Sequence, residues 1–139
     1  MTAILLVDTS AWHRSSHESV AETWSDHLVA DELAICQQVR LEILYSSRSA
    51  DDYDGISSEL DGLRQIPTGD TVFERALDVQ RSLAHVAGLH HRSVKIADLL
   101  IAASAELAGV TVWHYDEDFD RIATITGQPC QWIAPRGSL

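Results

Sequence analysis

Four acidic residues stand where solvated surface charges do not belong. Asp8 directly follows the apolar run Ile4-Leu5-Leu6-Val7, and Asp116 directly follows Val112-Trp113-His114-Tyr115. Glu42 lies within Val39-Arg40-Leu41-Glu42-Ile43-Leu44, and Asp98 within Ile96-Ala97-Asp98-Leu99-Leu100-Ile101-Ala102-Ala103. Asp98 is the most telling. The next helical turn on its face carries Ile101, Ala102 and Ala105, so the carboxyl should point to the interior or a cleft. An unpaired buried carboxylate is costly or gives up its charge. Its basic neighbours in sequence are Arg92 and Lys95, which a core-facing carboxylate would use poorly if they face water. Two accounts remain. Each acid pairs with an arginine or caps a helix, Asp8 and Asp116 being the obvious N-caps. Alternatively, all four converge and bind hard divalent cations through oxygen. Magnesium takes carboxylates plus retained waters and in that state holds a phosphate. Clustered carboxylates repel one another, and a cation relieves that repulsion. Phosphodiester hydrolysis needs an activated water, in-line geometry and a stabilised leaving oxygen, all of which bound metal supplies.

These acids need a scaffold. Residues 3–7 read as a buried strand, with Asp8-Thr9-Ser10 after it as a helix entry. Residues 20–30 form a helix through Val20, Trp24 and Leu28, and residues 33–36 a second strand. Residues 37–49 and 51–63 are helical, with Val39, Ile43 and Leu44 inward in the first and Tyr53, Ile56, Leu60 and Leu63 on one face of the second. Ile66-Pro67 is a brief extended piece. A helix over 71–87 places Phe73, Leu77, Leu83 and Val86 on its apolar face, with Gly88 as its stop. His90 to Ser93 form a polar loop, Ser93 caps a central helix over 94–108, and Gly109 ends it. Residues 110–115 are a strand, 117–126 a short helix closed by Gly127, and 131–133 a last strand. Alternating strands and helices imply an α/β fold, a three-layer α/β/α arrangement whose short, mainly parallel sheet is covered on both faces. In such sheets ligands sit beyond the carboxyl ends of the strands, where Asp8 and Asp116 fall.

At 139 residues the chain fits one domain, expected over 1–134 with a tail at 135–139. It needs no disulfide staple at this size. Its two cysteines, Cys36 and Cys130, form neither a disulfide framework nor a zinc pattern, and a reducing cytoplasm is the expected compartment. No signal peptide or membrane span is expected. The net charge of −11 excludes nucleic-acid binding by general electrostatics, so any phosphate contact must be local, through cations or a few arginines.

Asp8-Thr9-Ser10 after an apolar strand resembles the opening motif of the PIN-domain family. Glu42 in its helix, Asp98 in Ala97-Asp98-Leu99-Leu100-Ile101-Ala102-Ala103, and Tyr115-Asp116-Glu117-Asp118-Phe119-Asp120-Arg121-Ile122-Ala123 resemble the acidic motifs that follow. Order, spacing and length are similar to VapC-type toxins of bacterial toxin–antitoxin pairs, over residues 4–133. The resemblance implies an endoribonuclease that cuts structured RNA, transfer or ribosomal, with magnesium or manganese. By position, Asp8, Glu42, Asp98 and Asp116 form the catalytic and metal-binding quartet, Asp8 and Asp98 holding the first metal. Asp118 is a fifth candidate ligand, with a helix cap as its alternative. Ser10 orients a carboxylate or a metal water, or caps the helix. The implied products carry a 5′-phosphate and a 3′-hydroxyl. The implied partners are the RNA substrate, a cognate VapB-type antitoxin that blocks the site, and a second copy in a homodimer, with DNA met only through the antitoxin and no membrane.

Arg14, Arg92 and Lys95 are candidate RNA contacts at the mouth of the site. Histidines, among them His90, His91 and His114, read as loop or surface residues, with His114 on the sheet face opposite Asp116. Trp12 either joins the core or stacks on a base. Trp24, Leu28, Val39, Ile43, Leu44 and Tyr45 offer either core or an antitoxin-docking face. Two rival functions stand beside the nuclease. A phosphatase or phosphotransfer domain using Asp8 lacks the expected second aspartate, because Ser10 stands there, and it lacks a lysine after Lys95. A metal-free PIN-like binding module is disfavoured by the presence of all four acids. No Gly-x-Gly-x-x-Gly follows the first strand, against a dinucleotide site.

Overall fold

The computed structural model describes residues 3–86, 88 and 90–139. Five strands form one fully parallel sheet: β1 (Leu5–Val7), β2 (Leu33–Cys36), β3 (Arg64–Ile66), β4 (Thr111–His114) and β5 (Cys130–Trp132), in the order β3-β2-β1-β4-β5. The chain starts at the middle of the sheet, grows to one edge through β2 and β3, then crosses back to β4. Thus β1 and β4 are neighbours, paired Leu5 to Thr111 and Val7 to Trp113. That pairing brings Asp8 and Asp116 to the same edge, as the α/β reading requires. β1 and β2 are buried at every position, the burial a parallel sheet covered on both faces demands.

Among the described residues, seven α-helices cover the sheet: α1 (Thr9–Trp12), α2 (Ala21–Val29), α3 (Gln37–Tyr45), α4 (Ala50–Asp61), α5 (Asp70–Ala84), α6 (Ile96–Ala108) and α7 (Asp118–Thr126), with a 3-10 turn at His90–Arg92. α6 is the pivot. Leu99 through Ala105 are all buried, and it packs against α3, α5, α7 and β4. Gly109, in the left-handed region at φ 70°, closes it while the Val110 N–H donates to Ala105 O at 3.0 Å. An aromatic column fills one side of the core. Trp12 meets Trp24 edge-on at 5.9 Å, and Trp24 stacks on Trp113 at 5.7 Å. Trp12 is thus half-buried core.

Several local expectations change. The helix entry expected at Asp8-Thr9-Ser10 is there, with Asp8 as its cap, but α1 is only a single turn. The extended piece near Ile66 is an edge strand that starts two residues earlier, over Arg64–Ile66. α3 ends at Tyr45, four residues short, because Ser49 starts α4 by accepting the Asp52 N–H at 3.0 Å. α5 buries Val72, Ala76, Val79 and Leu83, while Phe73, Leu77 and Val86 are exposed. The reading followed the largest apolar residues, but the packed stripe is the one with small and branched side chains that let α5 approach α6. The helix stops at Ala84 with His85 as its cap, so Gly88 is not its stop, and position 87 lies outside the described residues, as do 1 and 2. α6 starts at Ile96, with Lys95 rather than Ser93 in the capping position. Both cysteines are free. Among the described residues no helix is long and apolar enough to cross a membrane.

Candidate metal centre

The site grows from the ends of β1 and β4. Asp8 is 2% exposed and caps α1, its Oδ1 accepting the Ala11 N–H at 2.9 Å. The Ser10 hydroxyl lies 2.7 Å from both Asp8 carboxylate oxygens and accepts the Tyr115 N–H at 2.9 Å. Ser10 therefore ties the β1 end to the β4 end and fixes the plane of the Asp8 carboxyl. Burial pushes Asp8 up to about 6, although the Ala11 N–H and the Ser10 hydroxyl favour its anion, and the nearby charge of Asp116 adds to the rise.

Asp116 and Asp118 leave the end of β4 together. His114 Nδ1 accepts the Asp116 N–H at 3.1 Å, and Asp116 Oδ1 accepts the Asp118 N–H at 2.9 Å. Asp98 enters from the first turn of α6. Oxygens of Asp98, Asp116 and Asp118 all lie within 4.8 Å of one another, and among the described residues this is the group of acids placed to share a cation. Burial pushes Asp98 up, and its hydrogen bond with Asp118 adds to the rise. At Asp118 burial is outweighed by hydrogen bonds from Asp98 and Lys95, and that carboxyl lies below its ordinary range. The two carboxyls titrate together, with Asp98 the one pushed up and Asp118 the one pulled down.

Lys95 corrects one expectation. It does not turn away from Asp98. Its Nζ lies 2.6 Å from Asp116 Oδ2, 3.2 Å from Asp118 Oδ2 and 3.4 Å from Asp98 Oδ2, and its backbone N–H donates to Asp118 Oδ2 at 3.0 Å. The two stand one turn apart at a helix start, and the long lysine side chain reaches the carboxyl although its own position is exposed. Asp118 does not cap its own helix, since Glu117 holds that position; it grips the start of α6.

Glu42 sits on α3, which packs against α1 and α6, and its Oε1 is buried with no hydrogen-bond partner among the described residues. It is not in the three-acid group. Arg14 places its guanidinium 4.3 Å from the Tyr115 ring centroid and donates to Ser10 O at 2.9 Å. Arg92 is exposed. His114 is fully buried between Phe119 and Trp132, not a surface residue, and burial pushes it down to about 4. Accepting at Nδ1 leaves its proton on Nε2, which has no partner.

These residues suit a hard divalent cation. Oxygen donors of three carboxyls converge there, the Lys95 ammonium and the Arg121 guanidinium offset part of their charge, and among the described residues no sulfur or imidazole joins the group. A family model described as PIN domain matches residues 5–125. The chain belongs to the PIN-domain family. It is 63% identical over 136 residues to Ribonuclease VapC18 of Mycobacterium tuberculosis, covering 98% of this chain and 99% of that protein. Ribonuclease VapC21 of the same species is 40% identical over 139 residues, covering 99% of each. Within the family, then, the chain stands among the VapC ribonucleases. Solved structures share the fold at low identity. DNA-bound VapBC from Salmonella typhimurium superposes with a TM-score of 0.74 at 16% identity, covering 96% of this chain and 100% of that one. VapBC-1 from nontypeable Haemophilus influenzae gives 0.71 at 16%, covering 94% and 98%.

Proposed function

We propose that this chain is a toxin of the VapC type, an endoribonuclease that hydrolyses structured RNA with magnesium or manganese and is restrained by a cognate VapB-type antitoxin. The single observation that carries this reading is the convergence of Asp98, Asp116 and Asp118 at the sheet edge beside Asp8. Its sequence relatives bear ribonuclease names, and its fold neighbours are complexes titled VapBC.

Asp98, Asp116 and Asp118 are the proposed metal ligands, with Asp8 and Glu42 completing the acidic set; Glu42 Oε1 has no protein partner to satisfy it. A bound divalent ion would lower the pKa of water and offset charge on the phosphate. The chain's own part is placement. Ser10 Oγ orients Asp8, the His114 Nδ1 acceptor holds the Asp116 turn, and the Asp118 bond to the Lys95 N–H locks α6 against β4. Burial favours the neutral form of Asp98, so a bound metal would compete with its proton, and metal binding should strengthen as pH rises. Arg92 and the free edge of Arg14 are proposed phosphate contacts, local exceptions on a chain of net charge −11.

We propose the exposed apolar side chains Leu28, Leu41, Tyr45 and Phe73 as the face for the antitoxin or the second copy of a homodimer. Val39, Ile43 and Leu44, expected as alternatives there, belong to the core, and Trp24 is half-buried against it. DNA contact is assigned to the antitoxin.

The test is incubation of antitoxin-free protein with total bacterial RNA, with and without magnesium or manganese, beside Asp8→Asn and Asp98→Asn. Discrete metal-dependent cuts ending in 5′-phosphate and 3′-hydroxyl, lost in both folded variants, are expected. A 2′,3′-cyclic phosphate would refute the mechanism, because it means attack by the RNA's own 2′-oxygen. An unchanged melting temperature with either metal would favour a metal-free binding module.

A further inference from the structure

Lys95 is the chain's only lysine, and its ammonium sits in the mouth of the acidic group. An ammonium has three donors, and here it faces one oxygen from each of Asp98, Asp116 and Asp118, at 3.4, 2.6 and 3.2 Å. The partners differ in freedom. The Lys95 side chain is 63% exposed, whereas those of Asp98 and Asp118 are 9% and 5%. The lysine can swing into water, and the acids cannot follow. A divalent ion that took the same oxygens would stand within a few ångströms of the ammonium, where two cations repel.

We propose that Lys95 is the counter-cation shared by all three carboxyls of the acidic site, whereas Arg121 reaches Asp118 alone, at Oδ1 and 3.5 Å; Lys95 holds the three together before metal arrives and competes with the divalent ion for their oxygens. The proposal rests on the divalent-metal reading above. Loading the site is then an exchange, in which the ammonium leaves as the ion enters. The Lys95 backbone N–H keeps its bond to Asp118 whatever the side chain, so replacing the side chain removes the cation and leaves the α6 start in place. Arg92 supplies the control. It carries the same charge in the turn before α6, but among the described contacts its side chain has none with the acids, unlike Lys95.

The experiment is calorimetric titration of manganese and of magnesium into metal-free wild type, Lys95→Met, Lys95→Arg and Arg92→Gln, with a melting curve for each. Lys95→Met is expected to bind manganese about five-fold tighter, the size expected for losing partly exposed ion pairs. It should melt lower than wild type without metal and gain more from metal. Lys95→Arg and Arg92→Gln should keep wild-type affinity. In wild type with 15N-labelled lysine, the one side-chain ammonium signal should move over the same metal concentrations as the heat, a readout that needs no variant to fold. Equal or weaker binding by Lys95→Met, equal tightening by Arg92→Gln, or an ammonium signal indifferent to bound metal would each overturn the competition. Absence of heat and of melting shifts in every form would refute the metal reading itself, and the competition with it.

Discussion

Asp8→Asn should make the metal-free protein more stable at pH 8 while abolishing its activity. Asp8 is buried, and its folded pKa lies near 6 against 3.8 unfolded. A raised folded pKa means that the native state binds the proton more tightly. Its contribution is therefore complete below pH 3.8 and lost as pH rises through 6. The full span corresponds to about 3 kcal/mol. Asparagine keeps the shape and the Oδ1 acceptor for the Ala11 N–H and the Ser10 hydroxyl, and it never ionises. Its new amide N–H group costs about 1 kcal/mol at any pH. At pH 4 the variant should thus match wild type or fall slightly below it, and at pH 8 it should exceed it by about 2 kcal/mol, roughly 1–2 M in urea midpoint. Urea unfolding in a chelator at both pH values reads this difference, and every other titrating group cancels because both proteins carry it. Added magnesium should raise the wild-type midpoint and leave the variant nearly unmoved. A stability gap that is the same at pH 4 and pH 8 would refute the desolvation argument, since it would mean that ionised Asp8 is fully compensated by its hydrogen bonds.

His114 should act in the opposite sense. Its folded pKa lies near 4 against 6.5 unfolded, so below pH 6.5 the unfolded chain takes the proton first and stability falls as pH drops towards 4, by about 3 kcal/mol in full. His114→Asn, which keeps an acceptor for the Asp116 N–H without titrating, should flatten that acid limb in urea unfolding from pH 4 to 7; an unchanged limb would assign it to other groups. Ser10→Ala leaves the Tyr115 N–H without its acceptor and Asp8 without its hydroxyl. It should cost about 1–3 kcal/mol in unfolding and roughly ten-fold in RNA cleavage rate. Gly109→Ala meets no atom within 4 Å, but φ is +70° there, so a loss of about 1–2 kcal/mol should come from backbone strain alone. An unchanged melting temperature would show that α6 closes by another route.

The sheet was legible because parallel strands buried on both faces read as short apolar runs, and Asp8 and Asp116 marked where two of them stop. The convergence of Asp98 with Asp116 was legible for a related reason: a charge on a helix that is otherwise apolar must find partners outside its own face. What escaped the reading was contact across elements. Nothing in the string shows that β1 and β4 are neighbours, so Ser10 meeting the Tyr115 N–H, and Lys95 meeting Asp116 and Asp118, become visible only once the sheet order is set. The α5 face was misread because hydrophobicity alone ranks Phe73 and Leu77 above Ala76, whereas close helix contact selects the smaller side chain. His114 was misread because a polar residue in an aromatic strand end looks like a surface residue. Its acceptor role depends on the turn that follows.

The charge of the site follows from what occupies it. A chain of net charge −11 that concentrates further acids at one edge should repel RNA. In the metal-free state that edge is less anionic than its residue count suggests, because burial favours the neutral form of Asp98, Asp8 is pushed up to about 6, and Lys95 and Arg121 add positive charge. On the proposed metal reading each compensation is reversible: a divalent ion would displace protons to solvent and the ammonium from the carboxyls. The compensations therefore weaken the site's grip on metal and stabilise the empty fold through the same contacts. Variants that stabilise the empty protein by discharging this edge should lose metal binding in step, whereas Lys95→Met should destabilise it and gain. Those opposite signs separate a site built to exchange cations from one that merely tolerates buried acids.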